Sequence, residues 1–417
     1  MKKNHKLLII GWFNFPFGSA TASRVRTLAK GLHENGFEVC VITTARIVLR
    51  SEDHTDSGEL YWKGVKYETQ NCYERDAVKP SWIKRLCNYL HANLKTWVRV
   101  YKKIQASEVD SIMFFGMCSL TLCLPLVLMA RFYSISIFYD VVEWFPPSAF
   151  KFWSINPAFY DDWLGRYLPL LGSQGVIAIT HYISEKYSRY QIPCMIVPSV
   201  FDSSQNDNLK PLSTQIKTQI KKDKYFSIIY AGTCKVGDGF ENLLDAVKIC
   251  FSKGCPIYLS VLGTDGLSGL ALKQRRVCEE DEVLHSCVNF LGRVSDEEYF
   301  AALNSADCLV LPRPDSQIVR AAFPTRLPEF LSTGRPVVTT DVPDIPQYLE
   351  GGIHAQIVSG DTSNALAEGI LLIWEDPNRA LSIGVAGQER GREVFDYIPY
   401  AKKISSFVLD NSLVSVQ

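Results

Sequence analysis

The strongest constraint in this sequence is an alternation that occurs twice. Short apolar runs are separated by segments of helix length: "LLIIGWF", a helical pattern over residues 20–35, "EVCVITT", and later "SIMFF", "SISIFYD", "GVIAIT" and "CMIVPS". Gly36 stands just past the first helical pattern, where a helix stop belongs. Strands that are apolar on both sides and spaced by helices predict a parallel sheet covered on both faces. Around residues 202–224 the pattern lapses into "DSSQNDNLKPLSTQIKTQIKKDK", polar and lysine-rich, which reads as a boundary. It then restarts with "FSIIYAG", a helix near 240–252, "IYLSVLG", "VNFLG", "CLVLP" and "PVVTT". The expectation is an α/β protein with one domain over 1–201, a linker over 202–224 and a second domain over 225–395. Residues 396–417 form a closing helix able to pack back on the first domain. A chain of 417 residues is too long for one ordinary core, which also argues for two domains.

Bulk composition narrows the partners. Hydrophobic residues make up 47% and charged residues 21%, the profile of a folded protein. Lysine plus arginine balances aspartate plus glutamate at 44 each, so nothing draws the whole chain toward nucleic acid, and any charged partner must meet a local patch. The twelve cysteines show neither zinc spacing nor a small-domain disulfide framework, and free thiols in a reducing cytosol are expected. The start, "MKKNHKLLIIGWFNFPFGSATA", imitates a secretion signal, but Asn14 and Pro16 interrupt it and a strand-loop-helix reading accounts for more residues. The uncharged run "SIMFFGMCSLTLCLPLVLMA" is long enough to span a bilayer. Gly116 and Pro125 divide it, and a buried strand followed by a buried helix is expected.

Two glycine-rich turns fall where strands give way to helices. "FGSATASRVRTLAKGL" places Gly18 and Ser19 ahead of one helix, and "AGTCKVGDGFENLLDAV" places Gly232, Gly237 and Gly239 ahead of another. Neither matches the usual dinucleotide or ATP-binding loop, and each could simply close a turn. More pointed is "AAFPTRLPEFLSTGRPVVTT", residues 321–340, which reads as a loop, a short helix, a glycine stop and a strand. A helix starting at Pro324-Thr325-Arg326 directs unpaired N–H groups at whatever precedes it, a place where phosphates settle. Arg326 adds a permanent charge suited to a diphosphate. Glu329 lies one turn further in, where a carboxylate can accept both hydroxyls of a vicinal diol such as a ribose. The competing reading is that it pairs with Arg326 at the surface.

Taken in order, "YAGTCKVGDGFENLLDA", "LSVLGTDG", "VNFLGRVSDEEYFAALNSADCLVLP" and "FPTRLPEFLSTGRPVVTTDVPDIPQYL" resemble the C-terminal domain of retaining glycosyltransferases of family 4. The first strand-helix-strand unit resembles that family's N-terminal domain, and residues 45–110 are the least similar part. The resemblance implies the GT-B fold, two facing Rossmann-like domains with an interdomain cleft. It implies transfer of a sugar, with retention, from a nucleotide-diphosphate donor to a hydroxyl of a glycan or lipid-linked glycan in surface-polysaccharide synthesis, with no required cofactor or metal. It implies that Glu329 holds the ribose and that Pro324, Thr325 and Arg326 flank the diphosphate and sugar. By the same carry-over, Arg293 and Val294 read the base, Gly232, Thr233 and Lys235 occupy the phosphate loop, Gly18 and Ser19 approach the diphosphate, and Asp140 stands near the donor sugar or acceptor. Arg326, Lys235 and Asp140 are the implied catalytic residues. The sequence departs from the family at Ala321, where a first glutamate is usual, and at Thr233, where an arginine is usual. Arg313 or Arg320 could supply the displaced phosphate charge. A nucleotide-sugar epimerase and a non-catalytic partner subunit are the competing readings.

For the acceptor, residues 82–104 place Ile83, Leu86, Leu90, Leu94, Trp97, Tyr101 and Ile104 on one helical stripe, with Lys84, Arg85, Lys95, Arg99, Lys102 and Lys103 off it. Such a helix either rests on an anionic membrane or packs its stripe on the domain. The first option places the protein at the inner face of the cell membrane. Glu143 and Trp144 in "YDVVEWFPPSAFKFW" are candidate acceptor contacts, although core packing would also explain the aromatics.

Overall fold

A computed structural model describes residues 4–16, 20–47, 60–72, 82–116, 119–150, 152–206, 224–234, 238–264 and 269–413. The chain divides into two compact units, residues 1–200 with 321–323 and 397–417, and residues 201–320 with 324–396.

The first unit is built on β1 (Lys6–Gly11), β2 (Glu38–Ile47), β3 (Leu60–Trp62), β4 (Val65–Cys72), β5 (Ser111–Phe115), β6 (Ser136–Val141), β7 (Gly175–Ala178) and β8 (Cys194–Ile196). Their order across the sheet is β3-β4-β2-β1-β5-β6-β7-β8. Every pairing is parallel except β3 with β4. That hairpin turns on Lys63 and Gly64, both with positive φ (45° and 84°), the backbone that a two-residue hairpin requires. β5 and β6 are buried at every position, as a sheet covered on both faces demands. The Tyr397–Asn411 helix packs on this unit. The Tyr397 hydroxyl donates to Glu34 at 2.9 Å, Lys30 Nζ lies over the Tyr397 ring, and Phe407 meets Phe138.

The uncharged run resolves into β5 and a helix, Leu120–Phe132, with Pro125 inside. The helix is not buried all round as the sequence reading expected. It sinks Leu122, Cys123, Leu126, Val127 and Ala130 but leaves Leu128 and Phe132 exposed. Among the described residues no helix is long and apolar enough to cross a membrane.

The Trp82–Gln105 helix also differs from the packing option. It buries Ala92, Asn93, Thr96, Val100 and Ile104, while Leu86, Leu90, Leu94 and Tyr101 of the expected stripe are 48%, 49%, 52% and 45% exposed, joined by Val98. Small and β-branched residues let this helix lie close to the sheet, so the leucines turn outward. Two of its basic residues serve the domain itself: Lys103 Nζ pairs with Glu68 at 2.9 Å and Arg99 donates to the Thr69 carbonyl at 3.1 Å.

The second unit carries β9 (Phe226–Ala231), β10 (Ile257–Leu262), β11 (Val288–Gly292), β12 (Cys308–Leu311), β13 (Val337–Thr340) and β14 (Gln356–Val358). All are parallel, in the order β11-β10-β9-β12-β13-β14. In chain order this is third, second, first, fourth, fifth, sixth, the Rossmann arrangement, whose order reverses between β9 and β12. Ligands of such sheets bind outside the carboxyl ends of the strands at that reversal. Of the twelve cysteines, Cys40, Cys87, Cys123, Cys194, Cys234, Cys250, Cys255, Cys278, Cys287 and Cys308 are free thiols.

Candidate active site

The carboxyl ends of β9 and β12 are pressed together by their own loops. Gly239, in the loop after β9, has φ +70°, and a Cβ placed on it would lie 1.5 Å from the Pro312 carbonyl oxygen in the loop after β12. Only glycine allows that approach. Gly232 directly follows β9, and its missing side chain leaves room for Tyr230. A Cβ there would lie 2.0 Å from the Tyr230 hydroxyl. That hydroxyl donates to Asp238 Oδ2 at 3.3 Å. The end of β9 is tied to β10 by Gly232 N–H donating to the Leu262 carbonyl, and the end of β10 to β11 by Gly263 N–H donating to the Gly292 carbonyl, both at 2.8 Å. Thr233 is exposed.

The stretch 324–329 enters this end of the sheet. Pro324 is buried, Thr325 and Arg326 are half-buried, and the helix Arg326–Ser332 follows. With only seven residues that helix contributes little field of its own beyond its free N–H groups, so Arg326 supplies the main positive charge. Glu329 Oε2 accepts a 2.9 Å hydrogen bond from the Tyr299 hydroxyl. Arg326 lies beside the same phenol and works against the rise in its pKa, so the phenol donates to the carboxylate with the guanidinium as its neighbour. Burial, then the charge of Glu329, raises the Tyr299 pKa well above the ordinary phenol value, and the proton that bridges to Glu329 is retained. Burial works against the Arg326 charge, but Tyr299, Glu329, Tyr230 and Asp238 outweigh it and raise its pKa. Of the two arginines offered for the phosphate, Arg320 is bound to Asp315 through Nε and a terminal nitrogen at 2.7 and 2.6 Å. Arg313 lies among Asp238, Tyr230 and Arg326; burial lowers its pKa, and Arg326 lowers it further, against the acidic neighbours. Ala321 is fully buried.

Arg293 is exposed and Val294 half-buried just past β11. The segment is anchored by a reciprocal cap on the next helix: Ser295 N–H donates to Glu298 at 3.1 Å and Glu298 N–H donates to the Ser295 hydroxyl at 3.2 Å, an arrangement that fixes a helix start. Tyr299 is one residue beyond Glu298, so the cap that steadies the expected base-reading loop also sets the phenol on Glu329. Gly18, Ser19 and Lys235 lie outside the described residues.

In the first domain Asp140 is not presented to a ligand. It is 0% exposed, and both its oxygens accept from Arg24, Oδ2 at 3.1 Å and Oδ1 at 2.8 Å. Arg24 also donates to the Pro198 and Val197 carbonyls at 2.7 and 3.1 Å. Asp140 thus fixes an arginine that gathers the chain after β8, and a catalytic contact through it would need this pair to open. Glu143 is exposed and Trp144 half-buried. Trp144 packs edge-on against Tyr187, and Arg166 lies over its ring.

Tyr299, Tyr230 and Asp238 were missed by the reading of the sequence. The spacing of Tyr299 after the Ser295 cap is the one signal that could have revealed it, because a residue at the start of that helix must lie near the strand ends.

Residues 225–376 match the family described as "Glycosyl transferases group 1". The D-rhamnosyltransferase WbpZ of Pseudomonas aeruginosa is 29% identical over 170 residues, 40% of this chain and 41% of that protein. The chain therefore spans well under half the length of this relative in the match. Among solved structures, sucrose-phosphate synthase from Thermosynechococcus elongatus superposes with a TM-score of 0.68 at 15% identity, covering 97% of this chain and 98% of that one. Anabaena HepE in complex with UDP-glucose does so with a TM-score of 0.68 at 14% identity, covering 97% and 99%. At such identities the likeness shows the fold: the chain has the α/β GT-B fold, with a glycosyl transferases group 1 match over most of its second domain.

Proposed function

We propose that this protein is a retaining glycosyltransferase of family 4 that moves a sugar from a nucleotide-diphosphate donor to a hydroxyl of a glycan or lipid-linked glycan, in the synthesis of a cell-surface polysaccharide. The observation that carries this reading is Glu329 held by the Tyr299 hydroxyl, with Arg326 beside both, at the reversal point of the second sheet. A diphosphate meets the cation, and one turn deeper the carboxylate, held by the phenol, meets the ribose diol. Pro324 and Thr325 border the diphosphate, Arg293 and Val294 the base, and Gly232 and Thr233 the phosphates. Gly18, Ser19 and Lys235 keep the roles implied by resemblance.

In the reaction the anomeric C–O bond to the diphosphate breaks while a bond forms to the acceptor oxygen. The acceptor's proton passes to a leaving phosphate oxygen, on the same face of the sugar. Negative charge grows on the diphosphate, and fixed positive groups placed there supply the main stabilisation. Arg326 acts directly and Arg313, half-buried beside it, adds to the positive field. UDP-glucose bound to the HepE structure and the rhamnosyltransferase relative support a nucleotide-sugar donor.

The exposed Leu86, Leu90, Leu94, Val98 and Tyr101, with exposed Lys84, Lys95 and Lys102 on the same helix, support a peripheral contact with an anionic membrane surface, the setting of a lipid-linked acceptor.

The test is titration of the wild type and Glu329→Ala with a nucleoside diphosphate, paired with a transfer assay. The expected outcome is loss of both binding and turnover in the variant. Wild-type rates in Glu329→Ala remove the site. Sugar conversion without acceptor points instead to an epimerase, and nucleotide binding without transfer or donor hydrolysis to a non-catalytic subunit.

A further inference from the structure

The first domain contains a cavity of about 220 Å³ that the donor site does not use, lined in part by Trp144, Arg166, Lys186 and Arg189. Its floor is rigid. Arg166 lies 5.0 Å above the centre of the Trp144 ring and donates to the Phe145 carbonyl at 2.7 Å. The Tyr187 hydroxyl donates to the Arg166 carbonyl at 3.1 Å, and the Trp144 and Tyr187 rings meet edge-on at 5.9 Å. Its rim is open, with Arg189 and Tyr190 exposed and Lys186 half-buried.

The charge of the cavity is unbalanced. Arg166 is neutralised by Asp162, buried beside it, and among the described residues that line the cavity there is no carboxylate. Lys186 and Arg189 are left as net positive charge over an aromatic wall. Lys186 lies over the Tyr182 ring, a contact that leaves its charge in place, and two cations beside an unfilled space repel each other, so the arrangement favours an anionic occupant. Aromatic faces suit the C–H surface of a sugar ring, and a lysine with an arginine suits a phosphate. The volume is below the about 300–1,000 Å³ of a pocket for a drug-sized ligand, which fits one sugar ring with its phosphate and is small for a nucleotide.

We propose that this cavity binds a glycosyl phosphate, with the pyranose ring against Trp144 and Tyr190 and the phosphate between Lys186 and Arg189. It rests on the transferase reading in one respect: the bound group is then the phosphorylated sugar of the acceptor, whether a soluble glycosyl phosphate or one carried on a lipid.

The experiment is calorimetric titration of the full chain with α-D-glucose 1-phosphate, glucose, inorganic phosphate and UDP, for the wild type and a Lys186→Ala/Arg189→Ala variant. A parallel arm uses phosphatidylcholine vesicles doped with a long-chain alkyl glucosyl phosphate. Glucose 1-phosphate is expected to bind at least about tenfold more tightly than glucose or phosphate. The variant is expected to weaken it by a further factor of about ten or more, the loss of charge-assisted hydrogen bonds, with UDP affinity unchanged. Binding only to the doped vesicles, lost in the variant, supports the same site with a lipid-borne source. Absence of binding in both arms, or binding that the variant leaves intact, overturns the proposal. Should the double variant misfold, Arg189→Gln at the exposed rim carries the same test. If UDP fails to bind while glucose 1-phosphate binds through these cations, the transferase reading falls and the cavity stands; the reverse result leaves the transferase reading without this subsite.

Discussion

At the residue scale, the phenol of Tyr299 decides how Glu329 is presented. Replacing it by phenylalanine removes one hydrogen bond to a charged group, a loss of about 1.5–3 kcal/mol, so Tyr299→Phe is expected to weaken nucleoside-diphosphate binding about tenfold or more without unfolding the domain, as titration calorimetry would show. The same phenol gives a sign to the alkaline limb of stability. Its pKa in the folded protein is raised by burial and then by Glu329, so its contribution is complete below the unfolded value of about 10 and is lost as pH rises above it. Urea midpoints from pH 8 to 11 should therefore fall more steeply in the wild type than in Tyr299→Phe; parallel curves would contradict the assignment. Asp140 illustrates what a sequence leaves out. Its place at the end of a strand was legible, but whether a carboxylate meets a ligand or a buried arginine depends on Arg24, 116 positions away. Removing one partner of such a pair costs about 3–5 kcal/mol, so Asp140→Ala should lower the urea midpoint of the first domain sharply.

At the scale of elements, the β9 and β12 loops meet only because Gly239 has no side chain. Gly239→Ala combines a left-handed backbone, worth about 1–3 kcal/mol of strain, with a clash on Pro312. It should lower the unfolding midpoint of the second domain and weaken nucleotide binding together, and unchanged binding would separate that loop from the site. The Trp82–Gln105 helix was legible as a helix with an apolar stripe, but not as one that turns its leucines outward. Helical periodicity identifies a stripe without saying which face is covered, and here Ala92, Thr96 and Val100 allow the closer approach. Leu90→Glu/Leu94→Glu should keep the helical signal and lose co-sedimentation with anionic vesicles; binding equal to wild type would remove the membrane contact. The β3–β4 hairpin and β14 escaped the sequence reading because β3 and β14 have three residues each, and β4, "VKYETQNC", lacks a continuous apolar run.

At the scale of the molecule, the two Rossmann-like sheets were legible because long apolar runs with glycine punctuation recur in order, a signal no single motif carries. The proposed second-domain site was legible in the turn before Arg326 and in Glu329, and hidden where a contact joins separate elements, Tyr299 with Glu329, or crosses a loop, Asp238 with Tyr230. Saturation with a nucleoside diphosphate at about one hundred times its dissociation constant should stabilise the protein by about 2.7 kcal/mol, a rise in melting temperature of several degrees that Glu329→Ala abolishes. The most direct measurement is a crystal structure of the protein soaked with UDP. The expected result has the ribose hydroxyls on Glu329 and the diphosphate beside Pro324, Thr325 and Arg326. A nucleotide bound elsewhere, or a Glu329 turned away from it, contradicts the site on which the proposed function stands.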